Sequence, residues 1–137
     1  MTSPTVTQAM LDIFLASPAF GVVGASKDRD KYGNKVLRAY QLRQRRAIPV
    51  HPRETEIEGV RCVASVAELP AEAHSLSIIT PPAITEQIVE AAHQKGIKNL
   101  WMQPGAESPK AVAQAQKYGM NVIADGTCLL VVLKYHE

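Results

Sequence analysis

The sequence predicts a three-layer α/β fold, with helices covering both faces of a five-stranded, mostly parallel sheet. Three observations predict it. Short apolar runs rich in Val, Ile and Leu recur along the chain, as strands buried on both faces require. Segments of about 10 to 15 residues with one apolar side lie between them, and Gly or Pro marks most of the junctions. Strand–helix alternation of this kind implies right-handed crossovers and hence parallel pairing.

Residues 5–16 place Val6, Met10, Ile13, Phe14 and Leu15 at near-helical spacing and halt at Ser17-Pro18, so they predict an opening amphipathic helix. The first strand follows at residues 20–23. After a polar loop over 27–31, the spacing of Val36, Leu37, Tyr40 and Leu42 predicts a helix starting near Gly33 or Asn34. Residues 47–50 form the second strand, closed by Pro52. In the connection beyond it, residues 60–63 read as extended and Ser65 as the cap of a short turn over 66–69. Residues 76–79 are the third strand. The next helix, 83–95, carries Ile84, Ile88, Val89 and Ala92 on one side and stops at Gly96. Residues 99–102 are the fourth strand, 107–118 a helix opened by Ser108-Pro109 and ended by Gly119, and 121–124 the fifth strand. Residues 129–135 read as a sixth strand or a short helix. No linker, repeat or low-complexity tract interrupts the chain, so residues 1–137 are expected to form one Rossmann-like domain of strand order 3-2-1-4-5.

A hydrophobic content of 46% with 20% charge is the balance of a soluble globular protein. No run approaches the roughly 18 apolar residues of a membrane span, and no basic stretch leads into an apolar signal core. A cytoplasmic location without membrane association is the expectation. Cys62 and Cys128 lack Cys-x-x-Cys spacing, and no Cys/His cluster suggests a metal, so both thiols are expected free. Charge is distributed unevenly. Positions 27–53 hold nine Lys/Arg against two Asp, a local excess that favours a polyanionic ligand. Arg43, Arg45 and Arg46 in that segment also suit a helix C-terminus, where cations complement the macrodipole.

In a sheet of this class the ligand crevice lies beyond the carboxyl ends of the strands, at the switch point beside the first strand. The loop after Val23 reads Gly24-Ala25-Ser26, followed by Lys31-Tyr32-Gly33 at the helix start. Gly24 permits close backbone approach, and the amides and dipole of the helix start suit a pyrophosphate. It is not a Gly-x-Gly-x-x-Gly fingerprint, because Gly24 and Gly33 are too far apart; a plain strand-to-helix connection is the alternative. NAD-binding domains place a carboxylate at the end of the second strand, about 20 residues beyond the glycine loop. Here the chain reads Val50-His51-Pro52-Arg53. A cation there suits a phosphorylated ribose, as carried by coenzyme A (3′) or NADP (2′). Thr80-Pro81-Pro82 after the third strand stiffens the rim with an apolar edge, while also suiting a helix with Pro in its first turn. At the fourth strand, Trp101 reads as core, whereas Gln103 and Gly105 are placed to face a ligand.

Taken together, the Gly-Ala-Ser loop with its downstream Lys-x-Gly, the Pro-Val-x-Pro starting at Pro49, the Pro81-Pro82 pair and the Trp-Met-Gln-x-Gly starting at Trp101 resemble the small stand-alone coenzyme A-binding domain proteins. Those are related to the N-terminal domain of the succinyl-coenzyme A synthetase α subunit. The resemblance runs from about Phe20 to Cys128. It implies that Gly24, Ala25, Ser26 and Lys31 contact phosphates, that residues 49–53 surround the adenosine, that residues 64–69 cover the adenine, and that Pro81, Pro82 and Gly105 flank pantetheine. The chain departs from the family pattern at His51, where asparagine or a small polar residue is usual, and at Asp125-Gly126-Thr127-Cys128, where Asp-Arg-Cys is frequent.

Ser26 has no Gly-x-Ser-x-Gly elbow, and His51, His74, His93 and His136 are scattered. In the synthetase relatives the phosphorylated histidine belongs to a second domain, for which this chain has no room. The expected function is therefore non-catalytic binding of coenzyme A or acyl-coenzyme A by a sensor, carrier or partner subunit. An NADP-dependent oxidoreductase or a nucleotide-binding regulatory domain is the alternative, although the chain shows no substrate domain and no evident proton donor. Nucleic-acid binding is disfavoured, because the seven aromatic residues do not interleave with the basic ones. Exposed sheet edges leave a homodimer or another protein partner open.

Overall fold

The computed structural model describes residues 5–136; positions 1–4 and 137 of the expected domain lie outside the described residues. Five parallel strands make the sheet: β1 (Ala19–Val23), β2 (Ala47–Val50), then, beyond the antiparallel two-residue strands β3 (Glu56–Ile57) and β4 (Val60–Arg61), β5 (Ala73–Ile78), β6 (Asn99–Met102) and β7 (Asn121–Ile123). Helices α1 (Gln8–Leu15), α2 (Tyr32–Leu42) and α5 (Leu129–Val132) cover one face; α3 (Pro82–Lys95) and α4 (Pro109–Lys117) cover the other.

Each element has a local cause. Thr7 caps α1 by accepting from the Met10 amide, and Ser108 caps α4 by accepting from Ala111. The left-handed Gly96 (φ +83°) ends α3. Residues 129–135, left open between strand and helix, begin with the helical turn α5. Ser65 stands at the start of the 3-10 turn Val66–Glu68 but makes no side-chain cap; the Glu68 carboxylate reaches back instead and accepts from the Ala64 amide at 3.1 Å.

The strand order is β2-β1-β5-β6-β7, which corrects the expected order: the third strong strand pairs with the first, not with the outer side of the second. The outer side of β2 is already occupied. Val63 forms a parallel bridge to Val50, donating to Pro49 O at 3.0 Å and accepting from the His51 amide at 2.9 Å. Val63, at the end of the segment 60–63 that reads as extended, thus occupies the edge of β2 where the expected order places β5, and β5 pairs with the open side of β1. From β1 the chain winds outward to β2, and from β5 it winds the opposite way through β6 to β7. Right-handed crossovers then place α2 on one face and α3 and α4 on the other. The topological switch falls between β1 and β5, so the loops after Val23 and Ile78 flank the crevice.

Both faces are packed. Leu76, Ile78, Leu100, Met102, Val89 and Val122 form the core under α3 and α4. Phe14, Phe20, Tyr40, Trp101 and Leu129 form the other, with Phe14 edge-on to Trp101 at 5.2 Å and Phe20 stacked on Tyr40 at 4.6 Å. On that face β5 presents Ser75 and Ser77, small enough for α1 and α2 to pack closely, and both are satisfied. Ser75 Oγ donates to Phe14 O at 2.8 Å, and Ser77 Oγ pairs with the Tyr40 hydroxyl.

Candidate functional site

Two glycines determine how the loop after β1 meets α2. At Gly24 (φ +93°) a β-carbon would lie 2.3 Å from Ile79 O, and at Gly33 it would lie 1.9 Å from Gly24 O. No other residue fits either position, so the first turn of α2 is pressed onto the Gly24 backbone. The first amides of a helix have no intrahelical partner. Lys31, at the N-cap, offers α2 no side-chain cap, so these donors and the positive end of the helix dipole are turned to the loop. Ser26 Oγ accepts from the Asp28 amide at 3.0 Å, and the buried Asn34 donates to Ser26 O at 2.9 Å, which fixes the loop from within the helix.

The crevice opens from this loop toward β2 and α3. A cleft of about 490 Å³ is lined by Gly24, Ala25, Val50, His51, Pro52 and Thr80, together with Ala64, Val66, Ile84 and Ile88. Its wall is largely apolar. A second, more polar pocket of about 670 Å³ adjoins it through His51 and Pro52 and is lined by Arg53, Arg61 and Glu68.

The positive segment is not uniformly available to a ligand. Lys27 pairs with Glu54 at 2.8 Å and Arg29 approaches Glu58 at 3.8 Å, tying residues 54–58 to the loop after β1. The hydrogen bond between them holds the Glu54 carboxyl below the usual range and the Lys27 ammonium above it. Arg43 donates to the carbonyls of Leu133 and Lys134, Arg45 donates to Leu15 O, and Arg46 pairs with Glu72. These three hold the chain ends and the sheet margin, a more specific role than complementing a helix dipole. Among the described residues neither Lys31 nor Arg53 has an ion-pair partner, and both are exposed.

The other residues singled out from the sequence divide in two. Tyr32 is 60% exposed beside Gly33 at the start of α2, and Pro81 and Pro82 open α3, where the buried Thr85 engages the Thr80 hydroxyl at 2.7 Å. Gln103 is turned inward: its Oε1 accepts from the Leu129 amide at 2.8 Å and its Nε2 faces Cys128 Sγ at 3.3 Å. It therefore anchors α5, is buried, and lies outside the residues that line the cleft. Gly105 lies outside the residues lining the cleft; its φ of +95° accounts for the glycine. Sequence reasoning missed Glu54 and Glu58, because charge partners so far from Lys27 and Arg29 carry no local pattern, and it missed the part of Asn34, whose side-chain amide donates to both Ser26 O and the Glu58 carboxylate. Both cysteines are outside any disulfide, and burial pushes the Cys62 thiol up, away from a reactive thiolate. Among the described residues no His/Cys/Asp/Glu group could hold a metal, and no helix is long and apolar enough to cross a membrane.

Residues 19–134 match the family described as the CoA binding domain. The chain belongs to the CoA-binding domain family. Solved structures similar to this CoA-binding domain include a conserved hypothetical protein from Pyrococcus furiosus, 37% identical with a TM-score of 0.80 over 83% of this chain and 97% of that one. A protein from Thermus thermophilus is 27% identical with a TM-score of 0.82, covering 94% and 98%. The domain also resembles the subunit alpha of the ADP-forming acetate–CoA ligase II of P. furiosus, at 31% identity over 125 residues, which is 83% of this chain and 27% of that protein. The CoA-binding domain spans between 11% and 27% of the length of four curated relatives that it matches.

Proposed function

We propose that this domain binds coenzyme A, or an acyl-coenzyme A, as a non-catalytic module of the cytosol. The observation that carries the reading is the close approach of Gly33 to Gly24, which sets the first turn of α2, with its unpaired amides, against the loop after β1. The diphosphate would lie on those amides with Lys31 beside it, and the adenosine would run along Val50–Pro52 into the apolar cleft against Val66 and Ile88. Arg53 would meet the ribose 3′-phosphate as a charge-assisted partner. Pro81 and Pro82 would border the pantetheine. Two exposed cations, Lys31 and Arg53, which have no ion-pair partner among the described residues, support a ligand with phosphate at two separated places.

A relative named as the subunit alpha of an ADP-forming acetate–CoA ligase supports a module that serves a partner chain carrying the rest of a reaction. The test is calorimetry with coenzyme A and with its 3′-dephospho form. Coenzyme A binds at least about tenfold more tightly, and Arg53→Ala brings the two together. Equal affinities in the wild type remove Arg53 from the reading. Tighter binding of NADPH than of coenzyme A replaces it with the nicotinamide reading.

A further inference from the structure

β2 ends at Val50, and the chain must bend at once, because the His51 amide is committed to Val63 O at 2.9 Å and Pro52 has no amide to give. Two backbone donors follow at the bend. Both are taken by one atom: His51 Nδ1 accepts from the Arg53 amide and from the Glu54 amide, each at 3.0 Å. An imidazole nitrogen that accepts carries no proton, so the neutral ring holds its proton on Nε2. The arrangement is that of an Asx turn, in which a side-chain acceptor holds an amide two residues further on. Nδ1 of histidine and Oδ1 of asparagine are the same number of bonds from the backbone, so the ring can serve as such a cap.

The bend aims two side chains of opposite charge. Glu54 goes to Lys27 at 2.8 Å and ties the bend to the loop after β1. Arg53 is left exposed in the polar pocket beside the cleft, and His51 itself lines both. We propose that His51 is a positioning residue: by capping the bend after β2 it keeps Arg53 off the neighbouring carboxylates and directed at the ribose phosphate, and so sets the preference for a 3′-phosphorylated ligand. This rests on the coenzyme A reading above and assigns to His51 a part in it that does not require contact with the ligand.

The test compares wild type with His51→Ala, His51→Asn and His51→Gln in the full chain, using two measurements. In the ligand-free protein, amide hydrogen exchange at Arg53 and Glu54 quickens by about tenfold or more in His51→Ala and His51→Gln. It stays near wild type in His51→Asn, whose oxygen stands where Nδ1 did, and exchange at Val22 and Leu76 is unchanged in all three, which shows that the sheet is intact. By calorimetry, the affinity ratio of coenzyme A to 3′-dephospho-coenzyme A falls toward one in the alanine and glutamine variants and is kept by asparagine. Unchanged exchange at Arg53 and Glu54 in His51→Ala overturns the cap. Faster exchange with an undiminished ratio overturns the positioning role. A wild-type ratio of one, with the exchange pattern as expected, removes the ribose-phosphate reading and the positioning role with it while leaving the cap in place, so the failures are distinguishable.

Discussion

At the scale of single residues, the site depends on two backbone approaches that admit no side chain. Gly33→Ala would place a methyl 1.9 Å from a carbonyl oxygen that belongs to rigid backbone, so α2 must move away from the loop. The expected cost is about 3 kcal/mol or more in urea unfolding, with loss of coenzyme A binding even where the variant remains folded. Gly105 provides the contrast. A β-carbon there meets nothing within 4 Å, so Gly105→Ala is expected to cost only the strain of its positive φ, about 1 kcal/mol, and to leave binding unchanged. Asp125 carries a pH dependence. Burial pushes its carboxyl up, but hydrogen bonds from Thr127 and from the Val6 amide outweigh that and hold it below the ordinary value of 3.8. A lowered folded value means that the charged carboxylate stabilises the fold above 3.8, and that this is lost as pH falls through the lower value. The stability advantage of wild type over Asp125→Asn, followed by denaturant titration across pH, should therefore be full near neutrality and vanish in strong acid.

At the scale of elements, α1 shows how an eight-residue helix, too short to persist alone, is held by tertiary contacts. Phe14 is fully buried between Phe20 and Trp101. Three polar groups from distant parts of the chain secure its carbonyls: Ser75 Oγ at Phe14 O, Asn121 Nδ2 at Met10 O and Arg45 at Leu15 O. Phe14→Ala is expected to cost about 3–5 kcal/mol by chemical denaturation, because the ring leaves a cavity under the sheet. The same elements show what local pattern can reveal. The apolar spacing, the Ser108 cap and the Gly96 stop were legible because each lies within a few residues of the helix it shapes. The cap expected of Ser65 does not form, because the Glu68 carboxylate accepts from both the Ala64 amide and the Ser65 hydroxyl.

At the scale of the whole molecule, the strand order decides where the crevice lies. With β5 beside β1, the switch point falls between the loops that carry Gly24 and Thr80, and the cleft joins both to the end of β2. A ligand that spans these loops binds only the folded chain. Coenzyme A at about 100 times its dissociation constant should stabilise the domain by about 2.7 kcal/mol, seen as a rise in thermal midpoint, and added salt should reduce that rise by screening Lys31 and Arg53. The sequence by itself determined the alternation of strands and helices, the glycine loop and its helix start, and the cation at the end of β2, because each is a matter of period, turn chemistry or neighbouring residues. Only the tertiary structure decided the order of the strands, the inward turn of Gln103, and which cations are paired with Glu54, Glu58 and Glu72. The reason is physical: competition for a sheet edge, a buried amide or a carboxylate is settled between segments far apart in the chain, and no local pattern records which one wins.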